Sequence, residues 1–383
     1  MKKKRILLVM LAFVMVFSMA ITTGCGNDAP PAVGDNNMEG EAFTEVIHWR
    51  LASAWVNGTP LFDVCRRFTE NVALLTNGNF IITPHEVNVL TPASGIFDLV
   101  QGGAVEVGSD WAGLWSGRSL GFDLLATSMF NFNGWDYYTW IFAAGGLEDA
   151  YHFMYNQFNM TYFVTNIVPP ESGIKSNVPI HSIDDMRPLS IRMAGRLQGL
   201  VFEKLGLTPV MVAFDELYEA LQRGVIDAAE VSNPNINYTM NIHEVTRYWL
   251  TPGWHQSASV YGKMINLDAY NALPQEYRNA LRAAADMTLV EFMAGTQWLD
   301  AIATDSMINR HGLTTTRLSD EEMDLIQRTV TEAMSVLAAE DPNYAHVLRS
   351  KINFRRVMDP YRYAMERWSF GFPWEPENFP RLP

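Results

Sequence analysis

The strongest constraint on folding in this sequence is a switch of hydrophobic period that repeats along the chain. Ile47, Trp49 and Leu51 alternate with His48 and Arg50 as an amphipathic strand does. Gly58-Thr59-Pro60 then supplies a turn, an N-cap and a proline at the first helical position, and a helix is expected to about Leu75. Cys65 falls in the apolar stripe of that helix (Leu61, Val64, Phe68, Val72) and reads as a core residue. Asn77-Gly78-Asn79 breaks the helix before a short strand at Phe80-Ile81-Ile82. The order recurs with Ile96–Val100 before Val105–Gly108, with Leu189–Met193 before a helix at about Leu197–Leu205, and with Thr208–Val212 before helical spacing at Phe214, Leu217, Tyr218 and Leu221. A strand at Val225–Glu230 closes the series. Such alternation predicts an α/β fold with mostly parallel sheets and helices on both faces.

Later segments read as long helices. One opens at Leu273-Pro274 and stops at Gly312, and a second begins with the capping box of Ser319 and Glu322. A last helix is expected within the aromatic region from Phe354, to about Trp368.

The N-terminus carries Lys2, Lys3, Lys4 and Arg5 ahead of an uncharged apolar run, Ile6 to Ile21, too short for a comfortable membrane span and laid out as a signal peptide. Thr22-Thr23-Gly24-Cys25 resembles a bacterial lipobox, with Thr22 where Leu is usual, so residues 1–24 are expected to be removed and Cys25 to be lipidated. Residues 25–44, rich in Gly, Pro, Ala and Asn, read as a tether. The expected location is the periplasm or the outer face of the cell membrane. Lys and Arg number 28 against 42 Asp and Glu, a net charge of −14 that lacks the basic footprint nucleic acid demands. Two cysteines and no C-x-x-C or H-E-x-x-H spacing argue against a disulfide framework or zinc chemistry. No phosphate-binding loop or dinucleotide fingerprint is present, so an enzyme is not expected.

The informative stretch is Ser182-Ile183-Asp184-Asp185-Met186, Leu189-Ser190-Ile191-Arg192, Leu205-Gly206-Leu207-Thr208-Pro209, Glu216-Leu217-Tyr218-Glu219-Ala220-Leu221-Gln222 and Gly224-Val225-Ile226-Asp227-Ala228-Ala229-Glu230. In order and spacing it resembles the solute-binding subunits of tripartite ATP-independent periplasmic (TRAP) transporters. Trp49-Arg50-Leu51-Ala52-Ser53 and Pro252-Gly253-Trp254 are similar to the branch that binds 2-oxo acids, lactate and related carboxylates. The resemblance implies a two-lobed, type II periplasmic-binding-protein-like α/β fold with a ligand cleft between lobes. Lobe 1 would be residues 45–167 with about 257–308, lobe 2 residues 168–256 with about 309–353, and 354–383 an aromatic C-terminal helix and tail. It implies capture of a small organic carboxylate and delivery to TRAP permease subunits. A module presenting its closed form to a membrane receptor is the alternative.

Arg192 ends a strand aimed at the cleft, where a planar guanidinium can grip a carboxylate through two bonds; an arginine paired with an internal acid is the structural alternative. By position the resemblance assigns cation ligands to Glu171, Glu230 and Gln256, with the Val231 carbonyl a further candidate. These hard oxygen donors suit Na⁺ or Ca²⁺, and no organic cofactor is implied. Trp111, Trp115, Phe214 and Trp254 are candidate walls of the cleft, and Asn233 a candidate donor. Some relatives in this branch dimerise by exchanging a C-terminal helix, and the resemblance offers Tyr361, Tyr363 and Trp368 as such a homodimer contact.

Overall fold

The computed structural model describes residues 45–130 and 132–365. Cys25, the signal and tether segments and Trp368 lie outside them. The chain opens with β1 (Ile47–Ser53), α1 (Pro60–Leu75), β2 (Phe80–His85), α2 (Ile96–Gln101) and β3 (Val107–Trp111). Thr59 caps α1 by accepting from the Phe62 amide, Pro60 opens it, and its apolar stripe, Cys65 included, is buried on the sheet. After α3 (Gly121–Ala126) and α4 (Gly134–Ala143), the nine-residue β4 (Met160–Val168) is buried along its whole length.

The chain then leaves this sheet for a second one. There follow β5 (Ile174–Ser176), β6 (Ser190–Arg192), α5 (Arg196–Lys204), β7 (Thr208–Val210), α6 (Leu217–Gln222), β8 (Ala228–Glu230), α7 (Pro234–Thr239) and β9 (Tyr248–Leu250). It returns through β10 (Ser259–Asn266), runs along α8 (Gln275–Asp305), adds β11 (Thr314–Thr316) to the second sheet, and ends with α9 (Asp320–Glu340) and α10 (Pro342–Met365).

The first sheet has the order β2-β1-β3-β10-β4 and the second β11-β9-β5-β8-β6-β7. Each is the sheet of one lobe. The expected parallel βαβ units are present in β1–β2, β1–β3, β6–β7 and β6–β8, but the sheets are mixed. The antiparallel strands are the crossing ones: β10 runs against β3 and β4, and β5 against β8 and β9. A strand that enters a sheet from the other lobe has no helical crossover to set its direction, so the parallel rule does not bind it.

The two crossing segments lie side by side, the Glu171 amide donating to the Gln256 carbonyl at 3.0 Å. Gly253 permits this approach, because a Cβ there would come within 2.0 Å of the Glu171 carbonyl oxygen. At 31 residues, about 46 Å, α8 reaches both lobes: Asn71 of α1 donates to Thr288, while Asp300 accepts from the Asn235 amide at the start of α7.

The last helix begins at Pro342, twelve residues before the expected Phe354, and packs on α3 and on α9. The buried Lys351 ammonium donates to the Leu124 carbonyl, Ser128 Oγ and the Tyr137 hydroxyl, which ties α10 to α3 and α4. Tyr361 and Tyr363 are exposed near its end. No described helix is long and apolar enough to cross a membrane.

Candidate functional site

Between the lobes lies a cavity of about 520 Å³, bounded by the C-terminal ends of β3, β6 and β8, where open α/β sheets place ligands. Its buried charged groups come from the second-lobe strands and the first crossing segment. Ile191 buries itself in the core, and Arg192 ends β6 with 7% of its surface exposed. The next turn uses Gly195 at φ +97, where a Cβ would also press within 2.1 Å of Gln198 Oε1. Parallel to β6, β8 ends at Glu230.

Arg192 Nη1 donates to Glu230 Oε1 at 2.5 Å and to the Glu230 carbonyl at 3.0 Å, and its Nε donates to the Val212 carbonyl at 3.3 Å. The Ala194 amide also donates to Glu230 Oε1, at 2.6 Å. Both structural and functional readings of Arg192 therefore have a place. It is paired with an internal acid on one side, while Nη2 has no hydrogen-bond partner among the described residues and the side chain lines the cavity.

Glu171 arrives from the first crossing segment, His255 and Gln256 from the second. One ligating atom each of Glu171, Glu230 and His255 lie within 4.8 Å of one another, all three residues buried. Glu171 Oε2 meets His255 Nε2 at 3.2 Å, and Ser259 Oγ donates to Gln256 Oε1 at 2.7 Å. Burial pushes Glu171 up to about 7 and Glu230 up to about 7, the latter in spite of Arg192. Burial also lowers His255 to about 4, so it is neutral, and its Nδ1 has no partner among the described residues. Two buried carboxyls beside one guanidinium, with an anionic ligand to come, leave negative charge in low dielectric that a hard cation would neutralise. The residues present fit such an ion: Glu171, Glu230 and Gln256 offer oxygens, and His255 fits better as the group that orients Glu171 than as a ligand.

Of the wall residues, Trp111 and Phe214 line the cavity. Trp111 is the last residue of β3, which runs to 111 and not only to 108, and its buried indole N–H has no partner among the described residues. Such a donor suits a ligand oxygen. Val231 lines the cavity as well; its carbonyl accepts from Asn237. Three candidates are elsewhere. Trp115 packs on Phe97 and donates to Asp110, Trp254 is stacked between Phe130 and Phe202, and Asn233 caps α7 and donates to Asp300.

Sequence reasoning missed Trp55, Tyr261, His255 and Ser259. Trp55 of the first lobe meets Phe214 of the second edge-on at 5.9 Å and Tyr261 at 5.5 Å. It follows the end of β1, so the strand-end argument applied to Trp111 finds it too. Tyr261 sits on the returning β10, which only the topology brings to the cleft. Asp123 of α3 was missed as well: its carboxylate crosses the gap to accept from the Arg196 amide at 2.9 Å and the Leu197 amide at 2.8 Å, capping α5.

A paired arginine with a free edge, buried hard-oxygen donors and aromatic walls, set between two α/β lobes, make a cleft suited to binding a small anion. Residues 51–341 match the family model for bacterial extracellular solute-binding protein, family 7 (DctP), and the chain belongs to that family. The family is one of solute receptors, not of enzymes. Among curated proteins the chain is 30% identical over 247 residues, 64% of this chain and 67% of the other, to a monocarboxylate 2-oxoacid-binding periplasmic protein of Nostoc sp. PCC 7120. Among solved structures it resembles a TRAP periplasmic solute-binding protein of Colwellia psychrerythraea with bound calcium and pyruvate (TM-score 0.80, 26% identity, 88% of this chain and all of that one). A counterpart from Pseudoalteromonas atlantica with bound sodium and pyruvate has TM-score 0.80 at 24% identity over 86% of this chain and all of that one, a likeness of fold.

Proposed function

We propose that this chain captures a small monocarboxylate, a 2-oxo or 2-hydroxy acid, together with Na⁺ or Ca²⁺, and hands it to TRAP permease subunits from a lipid anchor at Cys25. The observation that carries the reading is the Arg192 guanidinium, held on one side by Glu230 and free at Nη2 beside the Glu171, Glu230 and Gln256 oxygens. In the reading, Nη2 and the Trp111 indole bind ligand oxygens, the three side chains and the Val231 carbonyl hold the cation, and Trp55, Phe214 and Tyr261 exclude water. The Nostoc relative, named for 2-oxo acids, and the calcium- and pyruvate-bound Colwellia protein support the ligand class. Ligand that touches both lobes favours the closed arrangement by population shift. The lobes would divide at the crossing segments near residues 168 and 257. The C-terminal helix, with Tyr361, Tyr363 and Trp368, is the proposed contact of a homodimer.

Native mass spectrometry of freshly purified protein tests the reading. A retained mass equal to a monocarboxylate plus Na⁺ or Ca²⁺ is expected, lost together from Arg192→Ala. A protein that retains neither and gains neither from millimolar pyruvate with calcium contradicts it.

A further inference from the structure

The cavity is larger than a three-carbon acid needs, and the excess is apolar. Its 520 Å³ lies within the range of sites that enclose ligands of drug size, roughly 300–1,000 Å³. Pro209 to Phe214 is a run of six apolar residues that all line it, and none of the six is buried. Val210, Val212 and Phe214 rest on the core cluster behind, so the run is anchored, yet Met211 remains 71% exposed. Across the cleft the first lobe contributes Leu114, itself 45% exposed. The run passes beside the anchoring arginine, whose Nε donates to the Val212 carbonyl. On α5, Gly199 faces this space, and a Cβ there would meet nothing within 4 Å. Exposed large apolar side chains on both walls of one cleft mark a surface that a ligand covers.

We infer that the site selects a monocarboxylate with an apolar tail, such as a branched or medium-chain 2-oxo acid, over pyruvate and over dicarboxylates. The inference rests on the carboxylate reading of Arg192. The head group sits at Arg192, and the tail lies between Leu114, Met211 and Gly199. Arg196 is the other cation lining the cavity, and it is exposed. A dicarboxylate reaching it is the rival to be tested.

Calorimetry of the whole chain in calcium buffer with pyruvate, 4-methyl-2-oxopentanoate and 2-oxoglutarate decides the matter. Each buried methylene raises affinity by up to roughly fourfold, so the three extra carbons of 4-methyl-2-oxopentanoate are expected to bind at least tenfold tighter than pyruvate. Gly199→Leu, a change that favours helix and so leaves the fold intact, is expected to abolish this advantage. Met211→Ser reduces the advantage in the same sense. Pyruvate binding as tightly as the longer acid, 2-oxoglutarate binding tightest, or an unchanged ratio in Gly199→Leu each overturns the inference while leaving the carboxylate reading intact. Binding of none of the three acids overturns both.

Discussion

Asp123 offers a perturbation whose effect separates closure from folding. It stands on α3 of the first lobe, 2% exposed, and its two oxygens accept from the Arg196 and Leu197 amides of the second lobe at 2.9 and 2.8 Å. These amides are the free donors at the start of α5, so the carboxylate both caps the helix and meets the positive end of its dipole. Loss of an N-cap costs about 0.5–2 kcal/mol, and a partly buried charge at a helix end contributes up to about 2 kcal/mol. The two overlap, so Asp123→Ala should destabilise the closed arrangement by about 2 kcal/mol. Where the closed state is the minor one without ligand, its population falls roughly thirtyfold, and the apparent Kd for ligand rises by the same factor. Calorimetry gives Kd, and small-angle scattering with and without ligand gives the closed fraction. An Asp123→Ala protein with wild-type Kd and wild-type scattering in both states would refute the argument, since the contact would then contribute nothing to closure.

Other consequences follow from the same geometry. Arg192→Ala removes the partner of Glu230, buried at 1% exposure, and should lower unfolding free energy by about 3–5 kcal/mol, read by urea denaturation of ligand-free protein. Asp110, buried and accepting from Trp115, Tyr155 and Tyr162, is pushed up to about 6 by burial. A carboxyl raised on folding leaves stability intact below its unfolded value near 3.8 and lowers it as pH climbs toward 6. The stability of Asp110→Asn relative to wild type should therefore rise by about 2 kcal/mol between pH 4 and 7, read by paired urea melts, and a flat difference contradicts the assignment. Gly253→Ala forces the crossing segments apart at Glu171, so calcium-dependent ligand affinity should fall at least tenfold while far-UV circular dichroism keeps its shape.

The βαβ order was legible because period and capping residues agree locally: Thr59-Pro60 and Ser319 with Glu322 start helices where the sequence says they should. The site's anions and arginine were legible only through motif order, since 42 acids offer no pattern by themselves. Strand direction was not, because β5 and β10 take theirs from lobe crossing, which no short-range periodicity encodes. The same blindness hid Tyr261 and the cap made by Asp123, both contacts between residues far apart in sequence. Trp115 and Trp254 show the converse: an aromatic close to a strand end or a glycine turn can face inward as well as toward the cleft, and here Trp115 packs on Phe97 while Trp254 stacks on Phe130 and Phe202. The start of α10 at Pro342 was obscured by the aromatic density further on, although Asp341-Pro342 is itself a helix-opening pair, with Asp341 accepting from the Asn343 amide.

The central claim is that Arg192 and a hard cation together hold a carboxylate. Titration of pyruvate into wild-type and Arg192→Lys protein, each with calcium or sodium and after chelation in cation-free buffer, tests it most directly. A guanidinium held by Glu230 and Val212 cannot be copied by a point-charge ammonium, so Arg192→Lys should bind at least thirtyfold more weakly with the cation present. Wild-type binding should also weaken on removal of both cations. Equal affinity in the two proteins, or wild-type affinity indifferent to calcium and sodium, would contradict the account.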